Sequence, residues 1–363
     1  MTIYLDYQAT TPLAPEALAA MQPWLGAQFA NPHSPHRDGR AAAAAIEVAR
    51  DQIAALLPKG GRLFFTSGAT EALNWALRCT AGGGLAIGAT EHAAVRDTAL
   101  WLAGQGRALT ELPVDPQGLI DPAPALPQGT GLVAAMLVNN EIGVIQPVAQ
   151  LAAAAHRTGA LFLCDAVQGY GRMALPDGPD LIAISAHKIH GPKGIGALWV
   201  RDGVAITPLL HGGGQEGGLR SGTLSPALCV GFGAAAQLAA TRMVEDAAHI
   251  ERLWQIAMTE LPQGWTINGS TEARYKGNLN LRRPGLDVAR LISGLRDIAF
   301  SAGSACASGS GRPSHVLRAL GLRDADANSA IRLGFGRYTQ EADLRLALRA
   351  IFEAADQQRQ ATA

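Results

Sequence analysis

The sequence predicts an α/β fold: a mostly parallel sheet covered on both faces, followed by a smaller α+β region. Two observations carry this. Through residue 200, short apolar runs bounded by glycine, proline and polar residues alternate with helix-like stretches, the pattern of strands buried on both faces. Near residue 240 the pattern changes, and a long helix from about Pro226 to Leu261 leads into a strand–helix–strand C-terminal region. At 363 residues the chain is long enough to bury one large core and a smaller one.

Taken in order, Thr2-Ile3-Tyr4-Leu5 reads as an opening strand, and the alanine run at 41–45 lies inside a helix from Gly39 to Leu57. Leu63-Phe64-Phe65 is a strand that turns through Thr66-Ser67-Gly68-Ala69-Thr70 into the helix Glu71 to Leu77. Leu132 to Val138, Ala160 to Cys164 and Leu181 to Ile184 are short apolar runs that read as buried strands. After the long helix come a strand at Ile298–Ser301 and a run of small residues. A helix from Ser314, a strand ending in Gly334-Phe335-Gly336 and a helix from Glu341 to Ala355 follow.

Three polar features at the ends of these strands point to chemistry. Lys188 stands just past the run Leu181–Ile184 and before a glycine- and proline-rich turn, Ile189-His190-Gly191-Pro192-Lys193-Gly194. A lysine amine is a weak nucleophile at its ordinary pKa of about 10.4, but a cleft with a second cation nearby lowers it and suits it to a Schiff base. The alternative is a surface lysine ending a strand. Asp165 ends another buried run, where a carboxylate pairs with a protonated pyridine nitrogen or, more blandly, caps a turn. Three residues on, Gln168 offers an amide for a phenolic oxygen. Finally, the turn through Gly68 into a helix favours an anion through free N–H groups and the helix dipole. Ala69 and Thr70 open that helix, and Ser185 and His187 beside the lysine supply further donors. Lysine, carboxylate, amide and phosphate cradle are together what pyridoxal 5'-phosphate requires.

Composition narrows the class further. Formal net charge is zero, so nothing suggests a nucleic-acid or acidic-membrane partner. Four cysteines without zinc-like or disulfide-framework spacing argue for a reducing compartment and against a metal site. With a strand-like start, no visible signal peptide and no apolar run approaching the length of a membrane span, the expected location is the cytoplasm.

The motifs resemble those of cysteine desulfurases of the NifS/IscS type, within the class V aminotransferase group of pyridoxal phosphate enzymes. They run nearly end to end: Tyr4-Leu5-Asp6-Tyr7-Gln8-Ala9-Thr10-Thr11-Pro12, Ser67-Gly68-Ala69-Thr70-Glu71-Ala72, Thr90-Glu91-His92 and Val138-Asn139-Asn140-Glu141-Ile142-Gly143. Asp165-Ala166-Val167-Gln168, the lysine segment, Gly212-Gly213-Gly214-Gln215-Glu216 and Leu219-Arg220-Ser221-Gly222-Thr223 continue the series. Ser301-Ala302-Gly303-Ser304-Ala305-Cys306 and Ile331-Arg332-Leu333-Gly334-Phe335-Gly336-Arg337 close it.

The resemblance implies fold type I: a seven-stranded, mostly parallel sheet between helices in a large domain (13–240), and a small α+β domain made of 1–12 with 241–363. It implies catalysis by Lys188, His92 and Cys306, with cofactor contacts from Ala69, Thr70, Asn140, Asp165, Gln168, Ser185, His187 and Lys188. Substrate carboxylate would be held by Arg337, assisted by Asn140. It also implies a homodimer in which Thr223 reaches the partner's cofactor, and a sulfur acceptor such as an iron–sulfur scaffold or thiolation protein. The product would be L-alanine, with the sulfur left as a persulfide on Cys306. That cysteine lies in a run of small residues, 302–313, which predicts a mobile, solvent-facing loop. Six residues of such a loop reach roughly 20 Å when extended. Cys79, Cys164 and Cys229 sit in predicted helix or strand and look structural.

Two departures stand out. Where relatives often carry Gln-Glu-Arg-Gly-Leu-Arg, this chain reads Gln215-Glu216-Gly217-Gly218-Leu219-Arg220 and loses a positive charge. It also ends at Ala363, where longer relatives continue into a scaffold-docking tail, which leaves the acceptor open. Selenocysteine lyase and ordinary class V amino transfer remain as alternatives; the first would share the whole scaffold and the second would not need Cys306.

Overall fold

A computed structural model describes residues 2–80, 82–303 and 313–360. The N-terminal β1 (Ile3–Tyr4) precedes α1 (Pro15–Leu25) and α2 (Arg37–Ala54). Then strands and helices alternate: β2 (Gly61–Thr66), α3 (Ala69–Cys79), β3 (Gly84–Gly88), α4 (Ala93–Gly104), β4 (Leu109–Leu112), β5 (Thr130–Met136) and α5 (Val148–Arg157). Three further strands, β6 (Leu161–Asp165), β7 (Leu181–Ser185) and β8 (Gly196–Arg201), complete a seven-stranded sheet of order β2-β8-β7-β6-β5-β3-β4. Only β8 runs against the others, pairing antiparallel with both β7 and β2.

Side-chain alternation along these strands divides two apolar layers. Val133, Ala135, Phe162, Cys164, Ile182 and Ile184 face a core shared with α2, α5 and the next helix. Leu132, Ala134, Leu163, Leu181 and Ala183 face α3 and α4 instead. The edge strand β2 is closed by an ion pair. Glu216 accepts the Phe65 amide at 2.8 Å and Arg50 donates to the Leu63 carbonyl at 2.7 Å, while Arg50 and Glu216 bind each other at 2.8 Å.

The long helix α6 (Pro226–Glu260) starts with Pro226 behind a Ser225 cap, whose side chain accepts from the Leu228 amide. By length and composition α6 is apolar enough to cross a membrane, with a window of mean hydropathy 1.4, contrary to the expectation that no run approaches span length. Alanines raise that average, and Gly231 and Gly233 let α6 lie close to α1 and α2 as a core helix, where an added Cβ would meet Met21 and Ala49. Its first half packs with the large sheet through Cys229, Phe232 and Ala236. Its second half, through Leu253, Trp254 and Ala257, belongs to a second core.

That second core covers a four-stranded antiparallel sheet of order β12-β13-β10-β9. After α6 the chain runs through β9 (Thr266–Ile267), β10 (Asn278–Arg282), α7 (Val288–Gly294), β11 (Ile298–Ala299), β12 (Ser301–Ala302), α8 (His315–Ala319), α9 (Asp324–Asn328), β13 (Ala330–Gly334) and α10 (Glu341–Gln360). β1 pairs in parallel with β11, which ties the chain's start to its last third. Ile331 and Leu333 of β13 enter the core, so Arg332 and its cross-strand neighbour Asn280 project from the opposite face. That polar face lies against the loop after β5: Asn278 donates to the Asn140 carbonyl at 3.2 Å and Asn280 to the Glu141 carbonyl at 3.0 Å.

Candidate active site

A cleft of about 680 Å³ opens at the carboxyl ends of β2, β5, β6 and β7, with Arg332 of β13 closing one side. Open α/β sheets bind ligands in this position, because the loops that follow the strands converge there. Lys188, Asp165, Gln168, His92, Asn140, Ala69, Thr70, Ser185 and His187 all line it. These residues, read from separate motifs, therefore share one cavity.

Lys188 ends a single 3₁₀ turn, Ala186–Lys188, directly after β7. The chain then folds back sharply. His190 has φ 68°, and a Cβ on Gly191 would meet the Ala186 carbonyl oxygen at 2.9 Å. Thr11 locks this turn to the N-terminal segment, its hydroxyl donating to the His187 carbonyl at 2.9 Å and accepting the His190 amide at 2.8 Å. Lys188 Nζ donates to the carbonyls of Gln8 and Ala9, the latter at 2.8 Å. Burial, followed by the Arg172 and Arg332 guanidiniums, lowers its amine to about 7, with Asp165 and Asp6 acting in the other direction. Such an amine is a competent nucleophile near neutral pH.

Asp165 is the last residue of β6 and is buried, its Oδ1 accepting the Val167 amide at 3.0 Å. Burial raises its carboxyl above the ordinary range, while His92, that amide and Lys188 hold it down. A cationic partner is what such a carboxylate needs. His92 caps α4, with Nδ1 accepting the Ala94 amide at 3.1 Å. That bond leaves the ring proton on Nε2 in the neutral form.

The turn into α3 is open at its N-terminus. The caps Ser225, Asp287 and Ser314 each accept a first-turn amide, but Gly68 has no side chain to do so. Among the described residues no side chain caps these first-turn amides, which leaves them to serve an anion in the cleft. The turn is braced from behind: Glu71 accepts the Ser67 amide at 2.7 Å and forks onto Arg220 at 2.7 and 3.0 Å. An aldehyde-reactive amine, a buried carboxylate and an uncapped helix start fit pyridoxal phosphate in its aldehyde, ring and phosphate portions.

The arginine assignment needs correction. Arg337 does not line the cleft; its side chain is 5 % exposed and forks onto Asp246 at 2.9 and 2.7 Å. The space beside it is about 30 Å³, room for one water and not for an amino acid. Arg332, five residues earlier in the same motif, lines the cleft. It donates to Asp6 at 2.7 Å and to the Asn140 carbonyl at 3.1 Å, and its Nε is buried without a partner among the described residues. The signal for it was the alternation Ile331-Arg332-Leu333, which sends the middle residue away from the core. Gln8, Thr10 and Lys193 also line the cleft and were not singled out as site residues.

Cys306 falls outside the described residues. Thr223 is exposed and does not line this chain's cleft. Burial drives the Cys164 thiol well up and the Cys229 thiol up to about 12, and it also raises that of Cys79, so these three are poor nucleophiles. At Gly217 a Cβ would lie 3.5 Å from the Arg62 guanidinium, so a cation already stands beside that position.

The aminotransferase class-V family profile matches residues 3–346. The cysteine desulfurase IscS of Rickettsia africae is 41% identical over 99% of this chain and 92% of that protein. A solved structure titled NifS-like protein superposes with a TM-score of 0.89 at 33% identity, covering 97% of this chain and 99% of that one. Another, SspA in complex with cysteine, gives a TM-score of 0.81 at 32% identity over 93% of this chain and all of that one. With its sheet order, its lysine–aspartate cleft and these matches, the chain belongs to the aminotransferase class V family, among the cysteine desulfurases of the NifS/IscS type.

Proposed function

We propose that the cleft holds pyridoxal 5'-phosphate and removes sulfur from L-cysteine, releasing L-alanine and leaving a persulfide on Cys306. The observation that carries this reading is the meeting of Lys188, Asp165, the open start of α3 and Arg332 in one cavity. When bound, the cofactor supplies an aldehyde that condenses with amines and a ring that draws electrons from the substrate Cα.

The protein's part follows from the positions. The α3 amides, Ala69, Thr70, Ser185 and His187 hold the phosphate, Asp165 pairs with the ring nitrogen, and Gln168 donates to the phenolic oxygen. Arg332 forks onto the substrate carboxylate beside Asn140. Lys188 Nζ, its amine lowered to about 7, takes the proton from Cα. His92, on the cleft wall, would lie against the bound ring and move protons through Nε2. Cys306 Sγ forms a new S–S bond with the substrate sulfur as the Cβ–Sγ bond breaks, and the electron pair goes to the carbon skeleton that leaves as alanine.

On this reading residues 13–240 form the cofactor body, and 1–12 with 241–363 the smaller body that brings the thiol. A second copy supplies Thr223 to the phosphate, and a sulfur-accepting protein takes the persulfide. The cytoplasm suits this chemistry, since thiols stay reduced there. The test is alanine and sulfide release from L-cysteine with a reductant, using wild type, Cys306→Ser and Lys188→Ala loaded with the cofactor. Wild type should turn over, Cys306→Ser should keep the cofactor's colour without releasing sulfide, and Lys188→Ala should lose both. Full activity in Cys306→Ser would refute the persulfide step. Turnover of selenocysteine alone, or amino transfer to a keto acid, would move the chain to a neighbouring activity.

A further inference from the structure

Beneath the cleft, Arg172 joins three segments. Its Nη1 donates to Gln168 Oε1 at 2.7 Å, and its Nη2 donates to the Lys188 carbonyl at 2.7 Å and reaches toward that of Tyr7 at 3.5 Å. The guanidinium lies over the Tyr275 ring, 5.1 Å from its centre, which fixes its plane. On the other side of the same amide, Gln168 Nε2 donates to the Gln8 carbonyl at 2.9 Å. Gln168 is only 4 % exposed and lines the cleft.

We infer that Arg172 is a positioning residue: it locks the Gln168 amide in the one orientation that turns a donor, Nε2, toward the cofactor's phenolic oxygen. This rests on the pyridoxal phosphate reading above. A guanidinium only donates and a peptide carbonyl only accepts, so these two neighbours force the amide assignment. Flipping it would set N–H against N–H at Arg172 and oxygen against oxygen at Gln8. Nε2 carries two hydrogens; Gln8 takes one, and the other is left for the cleft. With Arg172 gone, Oε1 loses its donor and the amide is held by a single bond. It can then rotate and present an acceptor to a phenolic oxygen that is itself an acceptor. Arg172 also contributes to the low pKa of Lys188, so the test must separate the two routes.

The variants are Arg172→Met, which keeps the stem over Tyr275 and removes the donors, Arg172→Lys, Gln168→Ala and the double variant Arg172→Met/Gln168→Ala. Two readouts are taken on cofactor-loaded protein without substrate: the cofactor's Kd, and the ratio of its long- to short-wavelength absorption bands. Arg172→Met should raise Kd about tenfold, the worth of one good hydrogen bond, and shift the ratio. Arg172→Lys, which keeps a cationic donor on the same stem but loses the fork, should stay closer to wild type than Arg172→Met. In the Gln168→Ala background, Arg172→Met should change either readout by less than about twofold, because residues acting through one contact are not additive. Wild-type readouts in Arg172→Met, or a full-sized effect in the Gln168→Ala background, would overturn the inference. Should Arg172→Met not fold, Arg172→Lys decides: a ratio nearer wild type than that of Gln168→Ala supports the lock, and a ratio matching Gln168→Ala overturns it. Failure of wild type to take up the cofactor would instead sink the cofactor reading itself.

Discussion

Exchanging the two arginines of the Ile331–Arg337 motif tests the site most sharply. Arg332 is 1 % exposed, points into the cleft and keeps a buried Nε–H without a partner among the described residues. A carboxylate bound there would receive charge-assisted bonds, and truncating one partner of such a desolvated pair costs about 3–4 kcal/mol. At 1.36 kcal/mol per decade, Arg332→Ala should lower kcat/KM for L-cysteine by about 10²–10³. Arg332→Lys keeps the charge beside Asp6 but loses the fork, so it should fall between the two, by about 10–100-fold. Arg337→Ala should leave kcat/KM within about threefold. Its cost is structural: Asp246, with a side chain only 17 % exposed, loses its fork, a destabilisation of about 2 kcal/mol visible as a lower urea midpoint. Steady-state kinetics on the three variants, with midpoints as the folding control, decide it. If Arg337→Ala lost L-cysteine turnover while Arg332→Ala kept it, the reasoning from strand alternation and cavity size would be refuted.

Three further outcomes follow from buried groups around the cleft. Lys188 is lowered to about 7 when folded, so between pH 7 and about 10 the unfolded chain binds more protons and stability rises with pH. Lys188→Met should flatten that rise in cofactor-free protein, and an unchanged slope in urea titrations would contradict the low pKa. Glu141, held by the Ser314 hydroxyl at 2.6 Å, is raised to about 7, chiefly by burial. Its raised value stabilises the fold fully below about pH 4.5, and that contribution is lost as pH rises toward 7. Glu141→Gln should remove this decline; an identical pH–stability curve would count against it. Finally, a Cβ at Gly196 would stand 2.8 Å from the Gly68 backbone and 2.6 Å from the Ile184 carbonyl. Gly196→Ala should push the phosphate turn and weaken cofactor binding about tenfold or more. Wild-type affinity in that variant would show that the turn yields freely.

The chain's local signals carried much of the answer. Lys188, Asp165 and Gly68 each sit where a buried apolar run stops, and the run, the stop and the polar residue are all contained within a few positions. The alternation of such runs with helical stretches was enough for a mostly parallel sheet, because strands buried on both faces must be apolar along their whole length. What stayed hidden depends on partners far away in sequence. Arg332 and Arg337 look alike in one motif, and only the pairing of β13 with β10, together with Asp246 on α6, separates a cleft residue from an ion-paired one. By length and composition α6 passes for a membrane span, and the two cores that form around it make it a core helix. Arg172 gains its meaning from Tyr7, Lys188 and Tyr275, residues up to 165 positions away. Residue type and spacing by themselves determined which chemistry this chain carries, since strand ends and tight turns are local. Which arginine lines the cleft was settled only by long-range packing, because a side chain's direction depends on what the rest of the fold places against it.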